Sequence, residues 1–589
     1  MVASAGSGTP GGSDRDAAVV PCVAADTMPR ACWRGEVPYL ALLLGAYLLP
    51  LLLVSPVGEF PLIDSWTYAQ AVRHLAAEGQ LQISEWTATT LVFQVLWGAA
   101  FAKLFGFSFT ALRASTLVLS FAGSVALYAT CRELDLGPRR ALLGALLYWL
   151  NPLTFSLSYT FMSDVPAVSL LLLATYGAVR GARRGSIGGF LVAGGCAALA
   201  FLVRQPGLLF PPAVLLYGAL ARWPTRLAAW RALAVTGPSA VAVAGYLAWT
   251  RQQGLPREQG RVLALALRDG PTLWSAALLL GGYLALYLGL CGLPLALGCG
   301  PGTVRALIRL GRRHALVTLA WIGAVVGLVL GLAWRGQHLP GYATWMPYLR
   351  YGGMVQVAGI GPDDLLGARA PFLAPGARVA LTVLAAVGLG VLGLAAYGRL
   401  AAAGHRALLP PPLIGLVAAV ALGQLAALFP VSAHVLVGTW VSFDRYFLPL
   451  LPFALLLGLW ATRGLRLAPA LVLVGLLALG GFSLAGTQDW LAYNRLRWQL
   501  AHELVAQGVP RARIDAGMEW DGWFLYGVAP GAAPRTPDGP FWTQIIAPAT
   551  DSTYVIAFSP LPGYAVRERR AYPSWLHRES VALYLLQRR

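Results

Sequence analysis

Long apolar runs recur along most of the chain, and they constrain the fold more than any other feature of the sequence. One of them, VPYLALLLGAYLLPLLLVSPV (37–57), has the roughly 20 residues that the hydrocarbon core of a bilayer requires. In lipid every backbone polar group needs a partner within the protein, so such runs are expected to cross as helices. A composition of 57% hydrophobic and 12% charged residues is also poor in charge for a soluble domain. The sequence therefore predicts a mainly α, polytopic membrane protein.

Thirteen segments have the length and apolar character of membrane spans. They are 37–56, 110–131, 138–158, 163–180, 187–203, 207–221, 231–250, 271–298, 315–334, 378–398, 411–430, 446–462 and 467–485. A further apolar segment, 87–106, contains Gln94 and Lys103, and its placement decides the orientation of every later loop. If it does not cross, the arginine-rich loops fall in the cytoplasm, as the positive-inside rule requires. We therefore interpret 87–106 as an interfacial helix on the outer surface.

The chain divides into three predicted regions. Residues 1–36 are rich in Gly, Ser, Asp and Arg and are expected to form a disordered cytoplasmic tail. Residues 37–485 form the multi-span domain, whose first external loop covers 57–109. Residues 486–589 have shorter apolar stretches and predict a small external α/β domain, with a helix that ends at Gly508 and strands in STYVIAFS and SVALYLLQ.

The distribution of charge separates the two sides of the membrane. The net charge of +19 is carried mostly by arginines in short loops between apolar runs, which indicates membrane topology and argues against nucleic acid as a partner. In the predicted topology all acidic residues between 37 and 485 lie outside, except Glu133 and Asp135. Chemistry that uses carboxylates is therefore expected at the external face.

Three of these outer acids are candidate catalytic residues. Asp64 lies in EFPLIDSWTY of the first external loop, Asp164 lies in MSDVP at the mouth of a span, and Glu85 precedes the interfacial segment. A carboxylate at such a place can accept a proton from an attacking hydroxyl or amine, and acids at a membrane boundary are costly and tend to be functional. Helix capping is an alternative role for Asp64 and Asp164, and simple solvation is the alternative for Glu85.

Three outward arginines are candidates for binding a phosphate. They are Arg204 in LVRQPGLLFPP, Arg350 in YLRYGG and Arg445 in FDRYFLPLLP. The guanidinium fork offers paired donors that match phosphate oxygens. The alternative for each is snorkelling to the level of the lipid headgroups.

The order of several motifs resembles the GT-C superfamily of membrane glycosyltransferases, and within it the family-39-like enzymes that include protein mannosyltransferases and aminoarabinose transferases. The motifs are KLFGFSFTALR, GPRRALLGALLYWLNPLTFSLSYTFMSDVP, LVRQPGLLFPP and FDRYFLPLLP, together with the acid of the first external loop. The chain departs from many relatives in having Ile63-Asp64 in place of paired acids, and TATTL in place of an HPPL motif.

This resemblance implies transfer of a sugar from a polyprenyl-phosphate carrier to an acceptor at the external face of a bacterial cell membrane. Asp64 matches the family's catalytic acid and Asp164 its second acid. Arg204 matches a basic position after the fifth span, and Arg445 a basic residue near the donor phosphate. The acceptor is expected to be a glycan, a lipid or a protein hydroxyl. No P-loop or other nucleotide motif is present. A need for Mg²⁺ or Mn²⁺ stays open, because carboxylates can ligate these ions although the chain has no DxD motif.

Two other functional classes remain compatible with the sequence. A transporter would be expected to place ionisable groups near the membrane midplane. A polymerase or ligase of surface glycans would use a lipid-linked donor at a similar external site and would differ only in its product. In the C-terminal region, RIDAGMEWDGWFLYG is either a sugar-stacking surface or, as we favour, an ordinary part of a small domain.

Overall fold

The computed structural model describes residues 30–268, 270–299, 301–338, 353–403, 413–436, 444–528 and 539–589, and over these ranges the chain is mainly helical, as predicted. The α-helices are α1 (Arg30–Leu53), α2 (Ser65–Glu78), α3 (Val92–Phe105), α4 (Phe109–Glu133), α5 (Pro138–Trp149), α6 (Pro152–Ser158), α7 (Asp164–Arg184), α8 (Ile187–Phe201), α9 (Phe210–Leu220), α10 (Thr225–Gln253), α11 (Arg257–Arg268), α12 (Gly270–Cys291), α13 (Leu293–Leu297), α14 (Pro301–Arg313), α15 (Ala315–His338), α16 (Pro375–Ala403), α17 (Ile414–Leu436), α18 (Leu451–Ala461), α19 (Pro469–Ala506) and α20 (Met518–Leu525). Short 3₁₀ helices cover Gln205–Leu209, Asp444–Phe447 and Arg511–Arg513.

The apolar helices identify an integral membrane protein. Within the described ranges seven helices are long and apolar enough to cross a bilayer, namely α1, α4, α7, α10, α15, α16 and α19. The pair α5 and α6, bent by 65° at a short break, raises the number to eight if it counts as one span. The other five predicted spans coincide with shorter apolar helices, which are α8, α9, α12, α17 and α18. Each predicted span therefore lies on an apolar helix, while the number of thirteen crossings stays a prediction.

Two predicted segments take a more specific form in the structure. The interfacial segment 87–106 contains α3, whose 14 residues extend about 21 Å, less than the thickness of a bilayer core. Its location at the outer surface stays a prediction. Of the predicted disordered tail, residues 1–29 lie outside the described residues, and Arg30–Glu36 form the beginning of α1.

Close helix packing is built on small residues. On α7, Gly177 and Gly181 face α8, and a Cβ added to Gly189 of α8 would lie 2.6 Å from the Cα of Gly181. Without side chains at these positions the two backbones approach closely, which is how membrane helices gain packing contacts where no water is expelled.

The two ends of α7 carry different charged groups. At its C-terminal end, Arg180 and Arg183 contact the carboxylate of Glu133 at the end of α4, at 3.3 and 3.8 Å. At its N-terminal end lies Asp164. A helix of 21 residues separates these ends by about 31 Å. Asp164 therefore lies at the opposite end of the helical bundle from this arginine-rich end.

The C-terminal region forms the small sheet that the sequence predicted. Its strands are β3 (Ile514–Asp515), β4 (Tyr554–Ala557), β5 (Tyr564–Tyr572) and β6 (Val581–Arg588), in the order β3-β4-β6-β5. The β3–β4 pair is parallel and the other two pairs are antiparallel. The predicted strands correspond to β4 and β6, whereas β5 was not predicted. A two-stranded hairpin, β1 (Val355–Gln356) and β2 (Gly359–Ile360), lies in the loop before α16.

The last predicted span and the helix that follows it are one continuous element. Helix α19 has 38 residues and extends about 57 Å, roughly twice the thickness of a bilayer core. Its C-terminal half packs against the strands of the C-terminal sheet. The C-terminal sheet therefore packs on a helix that continues from the membrane bundle, and α20 of the same region packs against α2.

Candidate active site

Asp64 forms an ion pair and does not cap the helix that follows it. It occupies the residue before α2, but its side chain makes no capping hydrogen bond there. Instead Oδ2 accepts a hydrogen bond from Nη2 of Arg445 at 3.2 Å. The Asp64 side chain is 21% exposed, whereas that of Arg445 is 6% exposed. Asp64 is thus the accessible member of a pair whose cation is buried.

Asp164 forms a second pair of the same kind. It is the first residue of α7, and its Oδ1 accepts a hydrogen bond from Nη1 of Arg204 at 2.5 Å. The Asp164 side chain is only 2% exposed. Among the described residues its Oδ2 has no hydrogen-bond partner. Asp164 is therefore much less accessible to a ligand than Asp64.

The aromatic ring of Tyr446 joins the two pairs. The guanidinium carbon of Arg204 lies 5.5 Å from the centre of this ring, and that of Arg445 lies 5.7 Å from it. Burial lowers the pKa of Arg445, but the negative charges of Asp164 and Asp64 outweigh burial, and the net pKa is raised. The four predicted residues Asp64, Asp164, Arg204 and Arg445 therefore form one cluster, which we call the charged cluster.

Asp444 fixes the backbone that carries Arg445. Its two carboxylate oxygens accept hydrogen bonds from the backbone N–H groups of Met354 and Val355, at 2.7 and 2.9 Å. Burial raises the pKa of Asp444 to about 6, although these hydrogen bonds oppose the rise. The 3₁₀ helix Asp444–Phe447 is thereby attached to the β1–β2 hairpin, which limits the freedom of Arg445.

Tyr68 borders the charged cluster and was not predicted. It lies one turn into α2 and is buried. Burial raises its pKa to about 12, the charge of Asp64 adds to this rise, and the charges of Arg204 and Arg445 oppose it. A neutral phenol next to two arginines can donate a hydrogen bond to an anionic ligand.

Two other predicted site residues are not part of the described cluster. The exposed Glu85 accepts a hydrogen bond from the backbone N–H of Arg257 at 2.6 Å, at the start of α11. Within the described ranges no hydrogen bond or ion pair connects Glu85 to Asp64 or Asp164. Arg350 lies outside the described residues.

Arg113, within the quoted motif KLFGFSFTALR, holds the segment just before Asp64. Its Nη1 donates to the carbonyl oxygens of Pro56 and Gly58 at 2.8 and 3.0 Å, and Nη2 donates to that of Phe60 at 2.5 Å. Arg113 is almost fully buried. One arginine on α4 therefore satisfies three carbonyl groups of the segment between α1 and α2 and fixes its path.

The C-terminal domain contacts the residue next to Asp64. Oε1 of Glu519, on α20, accepts a hydrogen bond from the backbone N–H of Ile63 at 2.9 Å. Ile63 has a φ of +55°, a left-handed conformation that is strained for a β-branched residue by about 1–3 kcal/mol. Burial raises the pKa of Glu519, and the charge of Arg497 opposes that rise.

Glu519 belongs to a fully buried ionic network. Nη1 of Arg497 lies 3.0 Å from Oε2 of Glu519 and 3.2 Å from Oδ2 of Asp364. The hydroxyl of Tyr493 donates to the other oxygen of Asp364 at 3.1 Å. The sequence did not indicate this network, because its members come from three distant segments.

The stretch RIDAGMEWDGWFLYG contains β3 and α20 and is mostly buried. Glu519, Trp520 and Asp521 are each fully buried. Trp520 packs edge-on against Trp498, with ring centres 5.0 Å apart. Glu519, Trp520 and Asp521 are therefore interior residues, and the Trp520 ring is not available to stack on a sugar.

Other candidate binding features lie away from the charged cluster. A pocket of about 520 Å³ lies between the loop before α16 and the β5–β6 end of the sheet, and Arg369, Phe372, Arg569 and His577 are among its lining residues. It shares no residue with the charged cluster. The described part of the chain contains no group of three or more His, Cys, Asp or Glu residues arranged to hold a metal ion.

Comparisons with known proteins give one informative match. Residues 92–249 match the family described as dolichyl-phosphate-mannose-protein mannosyltransferase. This range includes Asp164 and Arg204 but not Asp64 or Arg445. No curated protein matches the chain.

Two solved structures overlap with most of the chain at low similarity. The crystal structure of ArnT from Cupriavidus metallidurans bound to undecaprenyl phosphate is 16% identical, with 94% of this chain and 98% of that chain covered and a TM-score of 0.35. The apo state of ArnT from the same organism is 13% identical with the same coverage and a TM-score of 0.37. We draw no residue correspondence from them. The family match confirms the resemblance predicted from the motifs: over residues 92–249 this membrane protein is similar to the glycosyltransferases of the GT-C superfamily.

Proposed function

We propose that the protein transfers a sugar from a polyprenyl-phosphate carrier to an acceptor at the external face of the membrane. The observation that carries the proposal is the charged cluster, in which Asp64 with Arg445 and Asp164 with Arg204 meet around one aromatic ring. The family match over 92–249 supports the reaction class. ArnT, which overlaps with this chain, has been crystallised with undecaprenyl phosphate, a carrier of the kind proposed here.

Asp64 is assigned the role of general base. In the transfer, the acceptor oxygen forms a bond to the anomeric carbon as the bond from that carbon to the phosphate oxygen breaks. The proton of the acceptor goes to Asp64, and the electron pair of the broken bond stays with the carrier phosphate. Its exposure of 21% makes Asp64, rather than the 2% exposed Asp164, the acid that an acceptor can reach.

Arg445 and Arg204 are assigned to the carrier phosphate. Negative charge grows on the phosphate as the sugar departs, and fixed guanidinium groups stabilise that charge without having to reorganise. Asp164 then acts as a positioning residue, because its contact at 2.5 Å holds the Arg204 guanidinium in place. The hydrogen bond of Glu85 to α11 supports a structural role for that residue, and the proposal assigns no role to Arg350.

Charge and topology support an external location for the site. The acids of the cluster lie at the end of the bundle opposite to the arginines that contact Glu133. Arginine-rich ends of spans face the cytoplasm by the positive-inside rule. The cluster and the C-terminal domain are therefore assigned to the periplasmic or extracellular side.

A transporter fits the geometry less well. The acids of the cluster lie at helix ends, with Asp64 before α2 and Asp164 at the first residue of α7. A transport pathway would be expected to use ionisable groups near the middle of its spans. A polymerase or ligase of surface glycans would use a similar site, and only the size of the product distinguishes it from a transferase that adds one sugar.

The test is transfer of a labelled sugar from polyprenyl-phosphate donors to candidate acceptors by purified protein. Asp64→Asn is expected to lower the rate about 10²–10⁴-fold, the usual contribution of a general base. Asp135→Asn is the matched control, because Asp135 is exposed and pairs with Arg183 at the other end of the bundle. Equal rates for Asp64→Asn and the wild type would remove Asp64 from the mechanism, and a failure of the wild type to use any such donor would contradict the proposed function.

A further inference from the structure

The segment that carries Asp64 is held by two elements from opposite sides. From the membrane bundle, Arg113 binds three carbonyl groups just before it. From the C-terminal domain, Glu519 binds the N–H of Ile63 at 2.9 Å. The second contact joins residues that are 456 positions apart in the chain.

The conformation of Ile63 explains why such a contact is needed. At φ +55° its β-branched side chain is in a region that L-residues rarely adopt. Left free, this peptide would relax to a negative φ, and that rotation would turn the following residue and its carboxylate. A hydrogen-bond acceptor fixed opposite the Ile63 N–H opposes this relaxation. Relaxation would break the hydrogen bond and leave both the buried N–H and the buried carboxylate oxygen without a partner, which costs free energy.

Glu519 is itself immobilised, as a positioning group must be. Arg497 contacts its other oxygen at 3.0 Å and contacts Asp364 at 3.2 Å, and all three side chains are essentially fully buried. Because Asp364 lies in the loop before α16 and Arg497 on α19, the carboxylate of Glu519 is fixed relative to the membrane bundle as well as to its own domain.

Helix α20 is also pressed against α2, the helix that begins after Asp64. A Cβ added to Gly522 would lie 2.6 Å from the indole of Trp66, so the α20 backbone rests directly on that ring. The Gln70 side chain donates to the carbonyl of Trp523 at 3.2 Å. These contacts place the carboxylate of Glu519 at a fixed distance from the N–H of Ile63.

We propose that Glu519 is a positioning residue for Asp64, and that the C-terminal domain thereby helps to set the geometry of the catalytic site. The structural half of this proposal is independent of the reaction, because it concerns only the conformation at Ile63. The kinetic half rests on the proposed function, in which Asp64 is the general base.

The structural half is tested by hydrogen–deuterium exchange at the Ile63 amide, followed in overlapping peptides that cover 58–66. Glu519→Asp keeps the charge that pairs with Arg497 but shortens the side chain by one methylene, so its carboxylate no longer reaches Ile63. Exchange is expected to become more than tenfold faster. Glu519→Gln keeps the length and an acceptor oxygen but loses the charge, and is expected to accelerate exchange three- to tenfold.

Glu503→Asp and Glu503→Gln are the matched controls, because Glu503 pairs with Arg570 within the same part of the molecule and does not contact the first external loop. Both are expected to leave exchange at Ile63 unchanged. Because Gln is isosteric with Glu, Glu519→Gln decides the question if Glu519→Asp fails to fold. Exchange within twofold of the wild type in the folded Glu519 variants would overturn the proposal.

The kinetic half predicts a specific division between kcat and KM. Glu519→Asp is expected to lower kcat at least tenfold and to leave KM for the lipid-linked donor within twofold, since Arg204 and Arg445 are unchanged. Adding Ile63→Gly, which removes the steric penalty of a positive φ, is expected to recover kcat at least threefold in that background. An unchanged kcat, or no recovery with glycine, would overturn this half. If Asp64→Asn retains transfer, Asp64 is not the general base and the kinetic half fails, whereas the exchange rates still decide the structural half.

Discussion

Replacing Arg445 by glutamine tests the charge that the proposed mechanism places next to the departing phosphate. The guanidinium is 6% exposed and donates to Asp64 at 3.2 Å, so little water screens it. Glutamine is uncharged, and its amide nitrogen stands at the level of the arginine Nε, so the substitution removes the positive charge together with the Nη2 hydrogen bond to Asp64. The cluster, which pairs two carboxylates with two guanidinium groups, would then carry a net negative charge and repel the phosphate.

The size of the effect follows from the geometry. Two unit charges about 4 Å apart interact by about 4 kcal/mol at an effective dielectric constant of about 20. If this interaction develops mainly in the transition state, its loss lowers the rate by about 10³-fold. This agrees with the 10²–10³-fold loss that is usual when one fixed donor to a developing anion is removed. Because the charge grows as the sugar departs, kcat is expected to fall more than KM for the donor rises.

The assay is single-turnover transfer from a labelled polyprenyl-phosphate sugar, with Arg567→Gln as the control. Arg567 is an exposed residue of β5 whose side chain contacts Gln587, so its replacement makes the same change of charge far from the cluster. Arg445→Lys keeps the charge without the paired donors, and its transfer rate is expected to lie between those of the wild type and Arg445→Gln. A rate for Arg445→Gln within threefold of the wild type would refute the assignment of Arg445 to the phosphate.

Two further predictions concern neighbouring groups. Asp164→Asn is expected to raise KM for the donor about tenfold by releasing Arg204. The double variant Asp164→Asn with Arg204→Gln is expected to have the same KM as Arg204→Gln alone. Additive increases of KM in steady-state kinetics would show that Asp164 acts separately from Arg204. Asp444 has a folded-state pKa of about 6 against an ordinary value of 3.8. The folded state therefore binds more protons than the unfolded state between about pH 4 and 6, and the contribution of Asp444 to the free energy of unfolding falls by about 3 kcal/mol as pH rises through that window. Thermal unfolding of the wild type and Asp444→Asn in detergent across pH 4–7 measures this difference, and parallel pH profiles of the two proteins would contradict it.

Much of the candidate site was accessible from the sequence because an acid or an arginine beside an apolar run is conspicuous. Asp64, Asp164, Arg204 and Arg445 were chosen on that ground. Glu85 met the same criterion, yet its carboxylate binds the start of α11 instead. Composition can identify a charged residue at a boundary, but it cannot show which partner that residue meets.

The residues that were missed have no local signal or only a weak one. Tyr446 follows Arg445 directly in FDRYF, so the motif pointed to its neighbourhood but not to its place between two arginines. Glu519 lies in a stretch interpreted as an ordinary part of a small domain, and nothing in that stretch indicates a contact with the loop that carries Asp64. Its contact with Ile63 depends on how the C-terminal region packs against the segment between α1 and α2.

The sequence by itself determined where the chain forms its apolar helices. A helix in lipid satisfies its own backbone, so its position can be read from a local run of residues, and each predicted span lies on an apolar helix. Only the tertiary structure decided which charges meet. Asp64 and Arg445 are 381 residues apart and Ile63 and Glu519 are 456 apart. Contacts over such separations are set by helix packing and domain docking, which depend on the whole chain at once.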